Sequence, residues 1–398
     1  MSAILFFDAA PGGHHGEFLE NVIYGIPESV ASVAVILAHP DLESRLEAAK
    51  LECSSPISLD YLSGAQLDLL NATKSLFQRG RLELDIAESA CAKWGAQRIF
   101  LMHMNIHQIA LSYCFRQPGM SVRGVLLNPY TPMRRAHTLK QKFSAFITGV
   151  RKRMQLYVML LNPRVDKVFV LNDARLAEDL NFGLFKRRPF ASVVDPIPAI
   201  VSHSDTEVRD PDEQSERFTF LLFGSLDPRK GALETLRAIE HLSEDELAKI
   251  RIRIVGRLRG VDDYRTSLMA AVASLRQRSP MVCVELEDRY VDIEEMQLEF
   301  TQADCILIPY VDFYGSSGVL GHACRFFKPV ITCDTGLIGE LARQLEIGHA
   351  TNPCDPIGYS LVIRRMLTGD LVYNKASALC YQECANYKVF SEALVNAW

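Results

Sequence analysis

The chain has 398 residues, of which 48% are hydrophobic and 23% charged, and its formal net charge is −5. This length exceeds what one hydrophobic core usually organises, so two domains are expected. The negative charge argues against nucleic acid as a partner, and no apolar run approaches the roughly 20 residues that span a bilayer. The ten cysteines are scattered and the N-terminus enters a strand at once, which predicts a cytoplasmic protein with reduced thiols.

The first half alternates apolar strands with helical patterns. Strands are predicted at residues 4–7, 30–37, 98–102, 122–127 and 165–171, and helices at 66–80 and 81–94, on either side of Gly80. This alternation predicts a parallel sheet with helices on both faces, whose ligands bind outside the carboxyl ends of the strands. The candidate site residues of this half follow those ends, and they are Gly12, Gly13, His14, His15, His103, Asn105, Asn128 and Tyr130.

Residues 134–164 differ from the rest of this half because they carry eight Lys or Arg and no Asp or Glu. The cations are Arg134, Arg135, Lys140, Lys142, Arg151, Lys152, Arg153 and Arg164. Apolar residues such as Phe143, Phe146 and Ile147 lie between them. A basic amphipathic helix on an acidic protein favours contact with an anionic membrane surface. The alternative is a solvated helix whose apolar side packs on the sheet.

The second half begins after a polar run at residues 199–217, which is typical of an interdomain linker. The loop after its first strand contains Gly224, Ser225, Arg229 and Lys230. Paired cations before a helix suit a diphosphate, since lysine binds phosphate as a point charge and arginine as a fork. The next strand ends at Arg257. A surface turn with two solvated charges is the alternative for this loop.

A second loop of the same kind follows the buried strand at residues 305–308. It consists of Gly315, Ser316, Ser317 and Gly318, and a helix follows from Val319. Such a loop directs backbone N–H groups and the positive end of the helix dipole at one point, which suits a phosphate. A tight turn with a serine N-cap is the alternative for this loop alone. Two such loops in one domain favour phosphate binding.

Residues 218–356 resemble the nucleotide-sugar domain of GT-B-fold glycosyltransferases, closest to glycosyltransferase family 4. The resemblance rests on FGSLDPRKG, IRIVG, DCILIPY and FKPVITCDTGLIGEL in the family's order. It implies an α/β protein with two doubly wound, Rossmann-like domains that face each other across a cleft. Residues 1–198 would bind the acceptor and residues 218–375 the nucleotide sugar, and a C-terminal helix at 376–398 would cross back to the first domain.

The resemblance also implies how the donor is held. The donor diphosphate is assigned to Lys230 and to the loop and helix start at residues 315–319. The family's arginine in the first loop is replaced by Ser225, with Arg229 as its stand-in. Because cations and helix termini carry the charge of the leaving diphosphate, no metal or other cofactor is expected.

Two residues depart from the family pattern. The family usually has two glutamates eight residues apart, and these positions hold Tyr314 and His322. His322 would then bond the ribose, and Tyr314 would make a neutral contact with the sugar. The departure leaves the retaining outcome open. If the reaction inverts, a general base is required, and His14, His15 and His103 are the candidates.

The expected activity is transfer of a hexose from a nucleotide sugar to a glycan or lipid-linked acceptor, in cell-surface polysaccharide or glycolipid synthesis. The basic segment favours a lipid-linked acceptor and peripheral association with the inner face of a membrane. A nucleotide-sugar 2-epimerase of the same fold is one alternative. A catalytically silent nucleotide-sugar-binding scaffold is the other, because the glutamate pair is missing.

Overall fold

The computed structural model describes residues 3–11, 14–115, 118–127, 139–183, 189–197, 217–259, 262–370 and 372–396. The chain forms two compact units. Unit 1 comprises Met1–Ala199 and Ala385–Trp398, and unit 2 comprises Ile200–Cys384. Each unit has its own parallel sheet with apolar clusters on both faces.

Unit 1 contains a seven-stranded sheet with the strand order β3-β2-β1-β4-β5-β6-β7. Its elements are, in chain order, β1 (Ala3–Asp8), α1 (His14–Gly25), α2 (Glu28–Ala31), β2 (Ala34–Ala38), α3 (Glu43–Glu52), β3 (Ser58–Tyr61), α4 (Gly64–Ala72), α5 (Leu76–Trp94), β4 (Ala96–Leu101), β5 (Ser121–Leu126), α6 (Leu139–Leu160), β6 (Val165–Leu171), α7 (Ala174–Gly183) and β7 (Phe190–Val193). Short 3₁₀ turns lie at Pro40–Leu42 and Ala110–Ser112.

Strand β1 shows why this sheet is covered on both faces. Its residues Ile4, Leu5, Phe6 and Phe7 are at most 1% exposed. Because successive side chains of a strand point to opposite faces, Ile4 and Phe6 join the cluster formed with α1 and α3, while Leu5 and Phe7 join the cluster formed with α5. Such a continuous apolar run is typical of a parallel strand buried on both sides.

Helix α5 runs through Gly80, so the prediction of helices at 66–80 and 81–94 is wrong. The break comes earlier, where Ser75 caps the start of α5. A Cβ on Gly80 would lie 2.3 Å from the carbonyl oxygen of Ile106. The glycine therefore lets the segment after β4 pack directly on the helix, and this contact outweighs its helix propensity penalty of about 1 kcal/mol.

Unit 2 contains a six-stranded sheet with the strand order β10-β9-β8-β11-β12-β13. Its elements are β8 (Phe218–Phe223), α8 (Ala232–Ile239), α9 (Glu244–Leu247), β9 (Ile250–Val255), α10 (Asp262–Arg278), β10 (Cys283–Glu287), α11 (Ile293–Gln302), β11 (Cys305–Ile308), α12 (Gly318–Arg325), β12 (Val330–Cys333), α13 (Gly336–Gln344), β13 (Gly348–Thr351), α14 (Pro356–Leu367) and α15 (Lys375–Cys384). A 3₁₀ turn at Pro228–Lys230 precedes α8.

The two sheets have the same strand order around their centres. In unit 1, β1 pairs with β2 and β4, and in unit 2, β8 pairs with β9 and β11. The chain therefore reverses its direction of winding between β1 and β4, and again between β8 and β11. Ligands of open parallel sheets bind at such switch points, outside the carboxyl ends of the strands.

The C-terminal segment forms two helices rather than the single helix expected at 376–398. Helix α15 packs within unit 2, where the side-chain amide of Gln382 donates to the carbonyl oxygen of Cys324 at 2.8 Å. Helix α16 (Tyr387–Val395) belongs to unit 1. Asn386 caps the start of α16, because its side chain accepts the N–H groups of Lys388 and Val389. The rings of Phe390 and Phe18 then stack 5.6 Å apart.

Candidate functional site

The loop after β8 folds tightly against the end of β11. Gly224 and Gly231 have φ values of 112° and 74°, in the left-handed region that favours glycine. A Cβ on Gly231 would lie 2.1 Å from the carbonyl oxygen of Pro309. The N–H of Val311 also donates to the carbonyl oxygen of Arg229 at 2.8 Å. The loop after β8 is therefore in direct contact with the residues that follow β11, ahead of the second loop predicted to bind phosphate.

Lys230 joins these two segments through its side chain. Its ammonium donates a hydrogen bond to the hydroxyl of Tyr310 and lies 4.1 Å from the centroid of that ring. The Tyr310 hydroxyl lies 3.0 Å from Oγ of Ser317. A Cβ on Gly224 would lie 3.9 Å from the Lys230 Nζ. The switch point of the second sheet thus carries a cation and two hydroxyl groups beside a glycine turn.

Arg229 is paired within its own loop. Its guanidinium forks onto the carboxylate of Asp227, with Nη2 2.8 Å from Oδ2 and Nε 3.2 Å from Oδ1. It also lies 5.7 Å from the ring centroid of Phe313. The hydrogen bond and charge of Asp227 raise the pKa of Arg229 and offset its positive charge. A diphosphate role for Arg229 stays a prediction.

The start of α12 supplies backbone donors close to Ser317. Ser317 is the N-cap residue, and among the described residues its side chain makes no capping bond to the helix. The N–H groups of Gly318 and Val319 lie in the first turn, where helix geometry supplies no carbonyl partner within the helix. Gly315 and Ser316 are half-buried in the loop before it. These features suit an anion, and the assignment of the loop to a phosphate stays a prediction.

The remaining predicted donor residues occupy different environments. His322 is the fifth residue of α12, and its ring centroid lies 5.5 Å from that of Phe300. Tyr314 is half-buried, and its carbonyl oxygen accepts an N–H from the start of α13 at 3.2 Å. Ser225 and Arg257 are exposed. The contacts with ribose and sugar expected of these residues stay predictions.

The switch point of the first sheet carries a carboxylate and two imidazoles. Asp8 ends β1 and is buried, and its Oδ2 lies 2.7 Å from Nδ1 of His15. The ring centroids of His15 and His103 lie 5.2 Å apart in an edge-on arrangement. Burial lowers the pKa of His103, and the neighbouring His15 lowers it further. Because the carboxylate holds Nδ1–H, the basic lone pair of His15 is on Nε2.

A second buried group lies next to His103. Glu83 of α5 accepts from His107, with 2.9 Å between Oε2 and Nε2. The other oxygen of Glu83 accepts from Nε of Arg79 at 3.0 Å. Burial by itself would raise the pKa of Glu83, but the hydrogen bonds and charges of His107 and Arg79 outweigh it and hold this pKa below its usual value.

Sequence reasoning missed Tyr310, Asp8, Glu83 and His107. Asp8 carried a signal, because an acid at the end of a buried strand lies where ligands bind. His107 follows the same strand end as His103, but several residues further on. Glu83 lies in the middle of a helix, and its role appears only when α5 is packed on the sheet.

Several predicted acceptor residues lie outside the described residues, and they are Gly12, Gly13, Asn128 and Tyr130. Helix α1 begins at His14, whose side chain is also outside them. The side chain of Asn105 accepts the N–H of Leu127 at 2.8 Å and donates to its carbonyl oxygen, so it links the ends of β4 and β5. Contact of Asn105 with an acceptor stays a prediction.

One face of α6 is apolar and exposed. Its side chains, which are 41–67% exposed, are Phe143, Phe146, Ile147, Val150, Met154 and Tyr157. Spacings of three and four residues place them on one face of the helix. Leu156 and Met159 are fully buried on the opposite face, and the exposed Arg151 and Arg153 flank the apolar face by helical geometry. Burial lowers the pKa of Lys152, and Arg151 lowers it further.

The other basic residues of this segment are partly outside the described residues. Arg134 and Arg135 lie outside them, as do the side chains of Lys140 and Lys142. Within the part of the chain that the structure describes, no helix is long and apolar enough to cross a membrane. In the same part, no three His, Cys, Asp or Glu side chains are grouped as metal ligands.

The fold matches solved structures, whereas the sequence matches no protein-family model and no curated protein. HepE of Anabaena in complex with UDP has a TM-score of 0.65 and 14% identity, and 98% of each chain is covered. The sucrose-phosphate synthase of Thermosynechococcus elongatus has a TM-score of 0.66 and 14% identity, with 99% of this chain and 97% of that chain covered. The lipopolysaccharide outer core galactosyltransferase WaaB has a TM-score of 0.64 and 12% identity, with full coverage of both chains. The chain therefore has the GT-B fold of these proteins.

Proposed function

We propose that the protein is a glycosyltransferase that moves a hexose from a nucleotide sugar to an acceptor. The observation that carries this proposal is the contact of Lys230, Tyr310 and Ser317 at the switch point of the second sheet. A fixed cation, hydroxyl groups and helix N–H groups are what a leaving diphosphate requires. The GT-B fold supports the same function, since HepE of this fold binds UDP and, in another structure, UDP-glucose.

We assign the catalytic base to His15, with Asp8 as its positioning residue. Nε2 of His15 takes the proton of an acceptor hydroxyl, and the hydroxyl oxygen attacks the anomeric carbon as the bond to the diphosphate breaks. The bonding electrons leave with the diphosphate, whose charge Lys230 stabilises. No metal or other cofactor takes part in this scheme. A base of this kind favours inversion at the anomeric carbon over the retaining course of family 4.

The acceptor that we propose is a lipid-linked glycan or a glycolipid at an anionic membrane face. The support is the exposed apolar face of α6 between Arg151 and Arg153. Six large apolar side chains on one exposed face cost free energy in water and gain it in the interfacial region of a bilayer. Cell-surface polysaccharide or glycolipid synthesis, at the inner face of a membrane, is the setting in which such an acceptor occurs.

The test is incubation with UDP-, GDP- and ADP-sugars, with and without a chelator, followed by measurement of free nucleoside diphosphate and of the sugar. Release of nucleoside diphosphate supports transfer, and equal release with the chelator supports independence of metal. Isomerisation without release identifies a nucleotide-sugar 2-epimerase. Thermal protection without turnover identifies a silent nucleotide-sugar-binding scaffold. Absence of both protection and turnover with every donor contradicts the proposal.

A further inference from the structure

We propose that Tyr310 is the positioning residue of the diphosphate subsite. Its hydroxyl holds the ammonium of Lys230 beside the glycine turn and fixes the hydroxyl of Ser317 as a hydrogen-bond donor. This inference rests on the proposed function, because it concerns the same subsite. It adds a residue that lies outside the loop of Lys230, since Tyr310 is separated from Lys230 by 80 residues.

The direction of hydrogen bonding along these three residues follows from the ammonium. Lys230 has donors and no acceptor, so the oxygen of Tyr310 accepts from it. Tyr310 is 4% exposed, and a buried phenolic O–H requires an acceptor of its own. The described residues offer Oγ of Ser317 at 3.0 Å for this purpose. Ser317 therefore directs its own hydroxyl proton away from Tyr310, at the start of α12.

The packing of Tyr310 explains how it can hold a flexible side chain. Its ring belongs to the apolar cluster on one face of the second sheet and meets Phe313 edge-on, with centroids 5.4 Å apart. Its N–H is bonded to the carbonyl oxygen of Ile308 at 2.9 Å. A lysine side chain loses considerable rotamer entropy when it is fixed in place. Because Tyr310 fixes Lys230 before the ligand arrives, less of that entropy is lost on binding.

A purely structural role for Tyr310 makes a different prediction. Tyr310→Phe keeps the ring, its packing and its face toward the ammonium, and removes one oxygen. If the hydroxyl only stabilises the fold, the variant has a lower melting temperature and keeps its affinity for nucleotides. Tyr359→Phe is the matched control, because its hydroxyl is also buried in unit 2 and lies 3.2 Å from Oγ1 of Thr235 in the core, outside the subsite.

The experiment is titration calorimetry of the full chain with UDP and GDP as probes and the corresponding monophosphates for comparison. We expect Tyr310→Phe to weaken binding of the diphosphate about tenfold, as for a bond to a charged group, with a smaller loss for the monophosphate. Tyr359→Phe should keep full affinity. In a Lys230→Met background, Tyr310→Phe should add less than about a twofold loss, because coupled residues give non-additive effects. Ser317→Ala leaves the core intact, and it too should weaken diphosphate binding in the wild type but add little loss in the Lys230→Met background.

The outcomes separate this inference from the proposed function. If Lys230→Met weakens diphosphate binding while Tyr310→Phe and Ser317→Ala do not, Tyr310 is a core residue and the positioning role is overturned. Equal losses for diphosphate and monophosphate, or full additivity with Lys230→Met, overturn it as well. If Lys230→Met has full affinity, or if neither probe binds the wild type, the donor site itself is contradicted. If Tyr310→Phe does not fold, Ser317→Ala decides the question by the same criteria.

Discussion

The two sheets place different chemistry at the same topological position. In unit 1, the ends of β1 and β4 bring together Asp8, His15 and His103. In unit 2, the ends of β8 and β11 bring together Lys230 and Tyr310. The first group can accept and hold a proton, whereas the second presents donors and a positive charge. Strand order therefore determines where polar groups converge, and the loop residues determine what they can bind or catalyse.

The two units also differ in how the chain builds them. Unit 2 is one continuous stretch, whereas unit 1 requires a second segment from the C-terminal end. Helix α16 contacts α1 closely enough that a Cβ on Gly25 would lie 2.2 Å from the carbonyl oxygen of Tyr387. The hydroxyl of Ser391 donates to the carbonyl oxygen of Asn21 at 2.7 Å, and Arg123 donates to a carbonyl oxygen after α16 at 2.8 Å. The stability of unit 1 thus depends on residues that unit 2 does not need.

Deletion of residues 387–398 should have the largest effect, because it should destabilise unit 1 and leave unit 2 unaffected. It uncovers α1 and removes Phe390, Leu394 and Val395, which are all buried. Burial of each side chain contributes roughly 1.5–3 kcal/mol, and the total is comparable with the stability of many domains. We expect unit 1 to unfold while unit 2 keeps its structure. Hydrogen exchange should show lost protection in β1 and β4 and unchanged protection in β8 and β11.

The control for this deletion is Val389→Ser, since Val389 lies on the exposed side of α16 and should leave exchange in both units unchanged. Phe390→Ala is an intermediate case, which should lower the free energy of unfolding of unit 1 by about 3–5 kcal/mol. Wild-type protection of β1 in the deletion variant would show that α16 is dispensable for unit 1.

The second comparison separates proton transfer from diphosphate binding. His15→Gln should lower the rate of transfer by roughly 10²–10⁴-fold, the usual contribution of a general base, and leave the affinity for UDP unchanged. Lys230→Met should weaken UDP binding by about 10–100-fold, as expected for a lost charge-assisted bond. The measurements are steady-state kinetics and calorimetry on both variants.

Asp8→Asn serves as a further check of the same comparison, because it keeps the shape of the contact with His15 but removes the charge that orients the imidazole. The rate of transfer should fall, but by less than in His15→Gln. Nuclear magnetic resonance of the product identifies the anomer. A retained configuration, with full activity of His15→Gln, would exclude His15 as the base.

Local patterns were enough to predict most strands and the glycine-containing loops after β8 and β11. Apolar runs such as Ile4–Phe7 identify buried parallel strands, and the glycines around Lys230 identify its loop. Contacts between distant residues were not predictable in this way. Glu83 and His107 meet because α5 packs on the sheet, and Lys230 meets Tyr310 because two strands are neighbours. Gly80 misled the prediction for a similar reason, since its close contact with a distant carbonyl is invisible in the sequence.

Low pH should affect the stability of the two units differently, because their ionic groups differ in burial. The pKa of Glu83 in the folded state is held below its usual value, so its contribution to stability is present at neutral pH and lost as the pH falls through the lowered pKa. Glu83→Gln should cost about 2 kcal/mol at neutral pH and remove part of the acid sensitivity of unit 1. Thermal unfolding as a function of pH, at low and high salt, is the measurement.

The matched change in unit 2 is Glu285→Gln. Arg251 and Arg253 lower the pKa of Glu285, so the sign of the pH effect is the same. The side chain of Glu285 is 32% exposed and that of Glu83 is 6% exposed, and salt screens an ion pair more strongly when solvent reaches it. We expect Glu285→Gln to lower the thermal stability only slightly and this loss to disappear at high salt. The loss of stability caused by Glu83→Gln should persist at high salt. Equal salt dependence of the two variants would contradict a buried ionic group in unit 1.

The last comparison concerns α6, whose exposed apolar face carries six large side chains between Arg151 and Arg153. Each basic residue near an anionic bilayer contributes about 1 kcal/mol, so Arg151→Ser with Arg153→Ser should reduce binding to anionic vesicles roughly 30-fold and leave binding to neutral vesicles unchanged. Phe143→Ser with Phe146→Ser should reduce binding to both kinds of vesicle, because shallow insertion does not depend on lipid charge.

Co-sedimentation with anionic and neutral vesicles, at low and high salt, separates these contributions. Met269→Ser is the control, because Met269 is an exposed apolar residue of unit 2. This variant should sediment with vesicles to the same extent as the wild type. Salt should weaken binding of the wild type to anionic vesicles more than binding of the variant without Arg151 and Arg153, because salt screens the attraction between exposed cations and an anionic surface. If wild type and both α6 variants sediment equally, or if none sediments with anionic vesicles at low salt, α6 is an ordinary solvated helix. The acceptor would then be a soluble glycan.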